Sequence, residues 1–216
     1  MLITHKHIDE SFEYDGSQIE QSWAFKSFEI KGSSIITWIG PMNIFPENLK
    51  DFEDIGIEIK SDKMLHFIVE HFDQQPANLR LAYMRQRMLV MILKEELSNK
   101  GIISVRKGDD IYIVSDCSDN PDNPDSNILK KLTVSIATVS PSSMKIHLGI
   151  NIFSDGTPDD VDAIGLFELN NNLNNNSDVD NNFNENNIVD FLYTIVDSYI
   201  NELNDIELDI SKTNLL

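Results

Sequence analysis

The stretch 106–151 leaves a chain few ways to fold, because its apolar residues recur at every second position. Met144, Ile146, Leu148, Ile150 and Ile152 alternate with Lys145, His147, Gly149 and Asn151. Upstream, Leu132, Val134 and Ile136 alternate with Lys131, Thr133, Ser135 and Ala137, and Ile111 and Ile113 with Asp110 and Tyr112. Successive side chains of a strand point to opposite faces, so a period of two reads as β-strands with one apolar and one polar face. We read the stretch as a twisted antiparallel meander. Solvated sheet faces are common, but this one is unusually small in residue size. A glycine in mid-strand weakens the strand unless something approaches its backbone closely. Gly149 and Ala137 on the polar face therefore predict a ligand or a covering loop.

The apolar face needs a second layer. Asn78 is a good N-cap and Gly101 a good stop for a helix over 79–100. Its middle, AYMRQRMLVMIL, is apolar nearly all round, as a buried central helix should be. The other elements follow from the same rules. Residues 1–9 form a strand. Tyr14-Asp15-Gly16-Ser17 is a turn whose Ser17 caps a helix to about Phe28. Residues 33–38 are a β-branched strand ending at Gly40-Pro41. Asp62 caps a helix through Phe72. A last helix over about 187–203 carries Ile188, Phe191, Leu192, Ile195 and Tyr199 on one stripe. The expected class is α+β, with a mixed, mostly antiparallel sheet packed on a central helix. Residues 1–216 are expected to form one domain. Low-complexity insertions interrupt it at about 115–127, which holds two Asn-Pro steps, and at about 170–187, which holds eleven asparagines.

Charge and composition narrow the partners. The net charge is −19, and from His147 onward fourteen acidic residues face only Lys212. Such a surface repels phosphate backbones and argues against nucleic acid as a partner. No run approaches the roughly 18 apolar residues of a membrane helix, and the N-terminal residues lack a signal-peptide core. The lone cysteine, Cys117, cannot form an internal disulfide. We expect a cytoplasmic protein with no membrane partner.

Several residues are candidates for chemistry. His66, Glu70 and His71 fall on the helix expected after Asp62, with His66 and Glu70 on one face. The spacing of the two imidazoles is not that of HExxH, so no metal site is expected. Either imidazole can reach a pocket or serve as a hydrogen-bonded structural group. Arg85 and Arg87 interrupt the apolar helix and need partners there. They are read as paired with carboxylates or as anchors for a ligand phosphate or carboxylate. The cluster Asp15, Ser17, Gln18 and Trp23 is read as capping and core. There is no P-loop, Rossmann fingerprint or nucleophile elbow.

GDDIYI at 108–113, Lys130-Lys131-Leu132 and the strand His147-Leu148-Gly149-Ile150-Asn151-Ile152 resemble successive motifs of the biotin protein ligases. The resemblance implies Lys131 as the catalytic lysine at the acyl carboxylate and phosphate. It matches Asp110 to the motif's aspartate and Asn151 to its late asparagine. Adenylation needs a cation where negative charge crowds and acidic groups to hold Mg²⁺ on ATP, and Lys131 with Asp109 and Asp110 would supply them. Ser135, Thr138, His147 and Gly149 complete the ligand-binding set. The Arg- and Gly-rich loop of the ligases has no counterpart; Gly40-Pro41 stands roughly in its place without an arginine. The blocks YDGSQIEQSWA (14–24), MLHFIVEHFD (64–73), LRLAYMRQRMLV (79–90) and LTVSIATVSP (132–141) resemble an uncharacterised archaeal family, the domain of unknown function 366. That resemblance implies a fold of the biotin/lipoate protein ligase and class II aminoacyl-tRNA synthetase type. Three functions are carried forward: an acyl or adenylyl transferase acting on a small carboxylic acid with ATP and Mg²⁺, a non-catalytic module for a small molecule or nucleotide, and a homodimer that buries the polar face.

Overall fold

In the computed structural model, which describes residues 2–115, 128–171 and 183–214, the run expected as a helix after Asp62 is a strand. This strand, β3 (Lys60–His71), lies at the centre of a five-stranded sheet. It is flanked by β2 (Ser34–Asn43) on one side and β8 (Met144–Asn151) on the other. Leu65, Phe67 and Val69 point to one face, Met64, His66 and Ile68 to the other, and all are buried. A strand covered on both faces reads as a continuous apolar run, which periodicity alone cannot tell from a buried helix. Asp62 caps nothing; its N–H donates to the Asp155 carbonyl at 3.0 Å.

The sheet is completed by β1 (Thr4–Ile8), parallel to β2, and by β7 (Thr133–Val139), antiparallel to β8. A second, antiparallel sheet holds β4 (Ser104–Lys107), β5 (Asp110–Ser115) and β6 (Ile128–Lys131). The chain crosses from the small sheet to the large one at Leu132. Its N–H donates to Ile111 and its carbonyl accepts from Asn151, both at 2.9 Å. That crossing breaks the alternation. Thr133, Ser135 and Ala137 lie opposite Ile150, Leu148 and Ile146 and share their face, whereas Val134 and Ile136 share the face of Gly149 and His147. The face assignment expected for 133–137 is therefore reversed, because a period-two count carried through Leu132 misses the change of sheet.

Helices α2 (Leu79–Asn99) and α3 (Ile188–Ser211) cover one face of the large sheet. Leu89, Leu93, Ile195 and Tyr199 join Leu65, Phe67, Ile146 and Leu148 in one core. Each such side chain contributes about 1.5–3 kcal/mol through burial. Asn78 caps α2 as expected, its side chain accepting from the Leu81 N–H at 3.0 Å. α3 runs on beyond the expected Leu203 to Ser211, and this last stretch is largely exposed, Leu208 and Ile210 included.

The opposite face carries a smaller core of Tyr14, Ala24, Ile36, Trp38, Met42 and Met64. The covering segment is not the continuous helix expected from Ser17. One 3-10 turn, Ser17–Ile19, is followed by α1 (Trp23–Phe28). The break falls at Ser22, whose backbone is left-handed at φ 62° and whose N–H donates to the buried Glu70 carboxylate at 2.8 Å. Ser17 does not cap; the Asp15 carboxylate accepts from the Ser17 N–H instead. Most of both expected insertions, and Cys117, lie outside the described residues. Phe183, at the end of the second, is buried and packs edge-on against Phe191 at 4.8 Å. Among the described residues no helix is long and apolar enough to cross a membrane.

Candidate functional site

A cleft of about 390 Å³ opens on the sheet face away from α2 and α3. Val134, Ile136, His147 and Asn151 form its floor. Tyr14, Gly16 and Ile19 line one wall, and residues from Ile44 to Lys60 lie over it. Asp109, Asp110 and Lys131 stand at the end where the two sheets meet. Thr133 and Ser135 also reach the cleft, as edge-strand residues beside the small sheet.

The charged end is held from several directions. Lys131 pairs with Tyr112 across the small sheet. On its other side its N–H donates to Asp162 at 2.7 Å and its carbonyl accepts from Ile164 at 3.0 Å. A backbone fixed on both sides aims the side chain, and Nζ meets Asp110 Oδ2 at 2.8 Å. Burial pushes the Asp110 carboxyl above its usual range, and Lys131 offsets this only in part. Burial works against the Lys131 charge, but the Asp110 carboxylate outweighs it and holds the ammonium above its ordinary value. The neighbouring Asp109 accepts from Arg87 at 3.0 Å and from Gln86 Nε2 at 2.8 Å. That same Gln86 amide donates to Ser135 Oγ at 2.8 Å, tying α2 to the cleft. Thr133 Oγ1 accepts from the Ile111 N–H.

Of the residues expected to form a site, Lys131, Asp109, Asp110, Ser135, His147 and Asn151 meet in this one cleft. The others do not. Gly149 is beneath the floor, where a Cβ would come within 2.9 Å of Met64 Cε and 3.1 Å of Val134 Cγ2. The room it leaves is filled by these two side chains and not by a ligand. Thr138 stands opposite Lys145, further along β7 than the cleft-lining residues. Arg87 acts only through Asp109. Arg85 is buried in a bidentate pair with Asp73 at 2.7 and 2.6 Å, away from the cleft. His66 and His71 cannot converge, because five residues along a strand put them on opposite faces. His71 faces the helices, 3.0 Å from Tyr199 Oη, and burial pushes its pKa down to about 3.

His66, on β3 beside β8, points to the same sheet face as His147 but does not line the cleft. Its Nε2 is 3.1 Å from the Gly40 carbonyl, and its Nδ1 is 3.1 Å from His147 Nε2. Trp38 stacks on His66 at 4.6 Å and Tyr14 on His147 at 3.7 Å. Burial pushes the His66 pKa down to about 4 and that of His147 well below its ordinary value, so both rings are neutral at neutral pH.

Two parts of the site are not visible in the sequence. Tyr14 reads there only as a turn residue, although the Gly16 beside it, at φ 89°, seats that turn against Asn48 of the cleft cover. The cover itself carries no motif. It places Asp51, Glu53, Asp54 and Glu58 at the cleft against Lys50 and Lys60. Burial, then Asp51, raises the Asp54 carboxyl above its usual range. This mouth is acidic where the ligase resemblance calls for an arginine-rich loop. The Mg²⁺ role of Asp109 and Asp110 does not fit either, since each is already committed to a cation. Among the described residues no three His, Cys, Asp or Glu side chains are placed to hold a metal ion.

Residues 3–214 match the family model of a domain of unknown function, DUF366. The chain belongs to this family. An uncharacterised protein of Methanocaldococcus jannaschii is 37% identical to it over 212 residues, covering 95% of this chain and 82% of that one. A protein of unknown function from Pyrococcus horikoshi superposes with a TM-score of 0.79 at 34% identity, over the whole of both chains. The biotin protein ligase of Aquifex aeolicus superposes with a TM-score of 0.53 at 13% identity, covering 94% of this chain and 70% of that one. A T. acidophilum protein solved with bound lipoic acid gives 0.52 at 11% identity, covering 94% and 87%. The DUF366 chain thus has the α+β fold of the biotin and lipoate protein ligases. At these identities the likeness concerns the fold alone.

Proposed function

We propose that the cleft is the functional site and that the protein is a small-molecule-binding module on a ligase-like scaffold. The observation that carries this reading is the meeting of Lys131, Asp110, His147 and Asn151, drawn from two sheets, in one cleft. Its floor and inner wall are apolar and aromatic, through Ile19, Val134, Ile136 and Tyr14, and its polar groups are few and placed at the ends. Such a lining suits a small amphipathic ligand. The apolar body would rest on Val134 and Ile136, and the polar head would exchange contacts with the Lys131–Asp110 pair.

A second reading, an acyl or adenylyl transferase acting on a small carboxylic acid, is favoured by Lys131 itself, which lines the cleft. Against it stand the acidic mouth and the pairing of Lys131 and Arg87, which leave little free positive charge for a triphosphate. Thermal shift with biotin, lipoate, octanoate, ATP and AMP separates the readings. Binding predicts stabilisation by at least one of the acids and little by ATP. Transferase activity predicts pyrophosphate exchange that disappears in Lys131→Ala. If no member of the panel shifts the melting temperature and light scattering shows a concentration-dependent dimer, the polar face is an interface between copies and the binding reading fails.

A further inference from the structure

Resting on the reading of the cleft as a small-molecule site, we infer that its inner end selects a neutral planar group, one that offers an N–H beside a carbonyl oxygen, as a lactam does. His147 Nδ1 accepts the N–H, and Tyr14 Oη donates to the carbonyl.

The inference follows from the hydrogen-bond chain that runs across β2, β3 and β8 to His147. A carbonyl oxygen only accepts, so the His66 Nε2 that faces Gly40 at 3.1 Å carries the proton. A neutral imidazole holds one proton, which leaves His66 Nδ1 with a lone pair. That nitrogen is 3.1 Å from His147 Nε2, so His147 Nε2 must donate. The single proton of the His147 ring is thereby assigned, and its Nδ1 is an acceptor. Among the described residues no group donates to Nδ1, although the residue is only 2% exposed and lines the cleft. Nδ1 is not one of the atoms sealed in the interior without a partner, so it is open to a donor brought by a ligand in the cleft.

Tyr14 completes the pair. Its ring lies 3.7 Å from that of His147 at an interplanar angle of 19°. The stack fixes both rings, and Tyr14 Oη has no hydrogen-bond partner among the described residues although the residue is 2% exposed. Asn151 is not part of this end. It is four residues from His147 along β8, or about 13 Å at the rise of a strand. Its Oδ1 accepts from Ser61 Oγ at 3.2 Å, and it serves the Lys131 end of the cleft. A carboxylate is a poor occupant of the inner end, because it brings no donor for Nδ1 and would be desolvated beside neutral rings. The two ends thus ask for different chemistry, neutral and donor-bearing at His147, charged at Lys131.

The test uses ¹⁵N-labelled protein with 2-pyrrolidinone and N-methyl-2-pyrrolidinone, which differ only at the amide nitrogen. Long-range ¹H–¹⁵N spectra of the imidazoles report the tautomers directly. The inference expects both His66 and His147 as the Nε2–H form. It expects a shift of His147 Nδ1 on adding 2-pyrrolidinone, and binding of the N-methyl compound at least about fivefold weaker, the worth of one hydrogen bond. Tyr14→Phe, which keeps the stack, should weaken 2-pyrrolidinone by a similar factor. If both lactams bind in the cleft equally and Nδ1 does not move, the inference is overturned while the small-molecule reading stands. If neither perturbs any cleft residue, both fail.

Discussion

Replacing His71 by phenylalanine should change how stability depends on pH more than it changes stability itself. His71 is fully buried between β3 and the helices, with Tyr199 Oη at 3.0 Å and the Arg85–Asp73 pair nearby. Burial, reinforced by the Arg85 charge and opposed by Asp73, pushes its pKa from 6.5 down to about 3. A histidine with a depressed folded pKa binds fewer protons folded than unfolded. Its contribution is complete above pH 6.5 and is lost as pH falls toward 3. Each pH unit inside that window is worth about 1.4 kcal/mol, so between about pH 8 and about pH 5 the wild type loses about 2 kcal/mol through this residue. Phenylalanine cannot titrate and loses none of it. His66, pushed down to about 4, and the acidic surface are common to both proteins and cancel in the comparison. At about pH 8 the variant should lie within about 1 kcal/mol of the wild type, since Tyr199 loses its partner but the buried, unpartnered His71 Nδ1 is removed with it. At about pH 5 the variant should be the more stable by about 2 kcal/mol. Urea unfolding at several pH values from about 8 to about 5 measures this directly. A gap between the proteins that stays constant across that range would show the premise to be wrong, because His71 would then titrate alike in the folded and unfolded states.

Three further outcomes follow from the packing and the ion pairs. Gly149→Ala should destabilise by about 1–3 kcal/mol through overpacking against Met64 and Val134; Met64→Ala in the same chain should recover part of that loss in urea melts, and a Gly149→Ala variant as stable as wild type would contradict the contact. Asp73→Asn leaves the buried Arg85 without its counter-charge and should cost about 3 kcal/mol, measured by chemical denaturation, whereas Arg87→Ala, on a pair about one-third exposed, should cost less than about 1 kcal/mol. Lys131→Ala should leave the fold's melting temperature within a few degrees but weaken any acid that stabilises the wild type by at least about tenfold in calorimetric titration.

Where alternation is clean and one face is buried, the fold is legible in the sequence. Met144 to Asn151 alternates as read, Leu79 to Asn99 is the central helix, and Lys131, Asp109, Asp110, His147 and Asn151 do meet. The departures have physical causes. Met64 to His71 is apolar on both faces because both faces are covered, so its period carries no information and a well-placed Asp62 tips the reading to helix. Thr133 to Ala137 reads onto the wrong face because Leu132 bridges two sheets, a tertiary event invisible to local counting. Gly149 does mark a close approach, but by a methionine from β3. Tyr14 and the 44–60 cover reach the cleft through contacts far apart in sequence, and nothing local marks them. The ligase-like fold is legible through three short motifs, and TM-scores of 0.53 and 0.52 at identities of 13% and 11% explain why only short motifs survive.

Binding of a small molecule in the cleft over β7 and β8 is tested most directly by a ¹H–¹⁵N NMR titration with octanoate and with lipoate, each carried to saturation. Saturable shifts are expected at Lys131, Val134, Ile136 and His147, with the exposed faces of α2 and α3 unmoved. Saturable shifts that fall on the helices and spare these four residues would place the site elsewhere and contradict the proposed function.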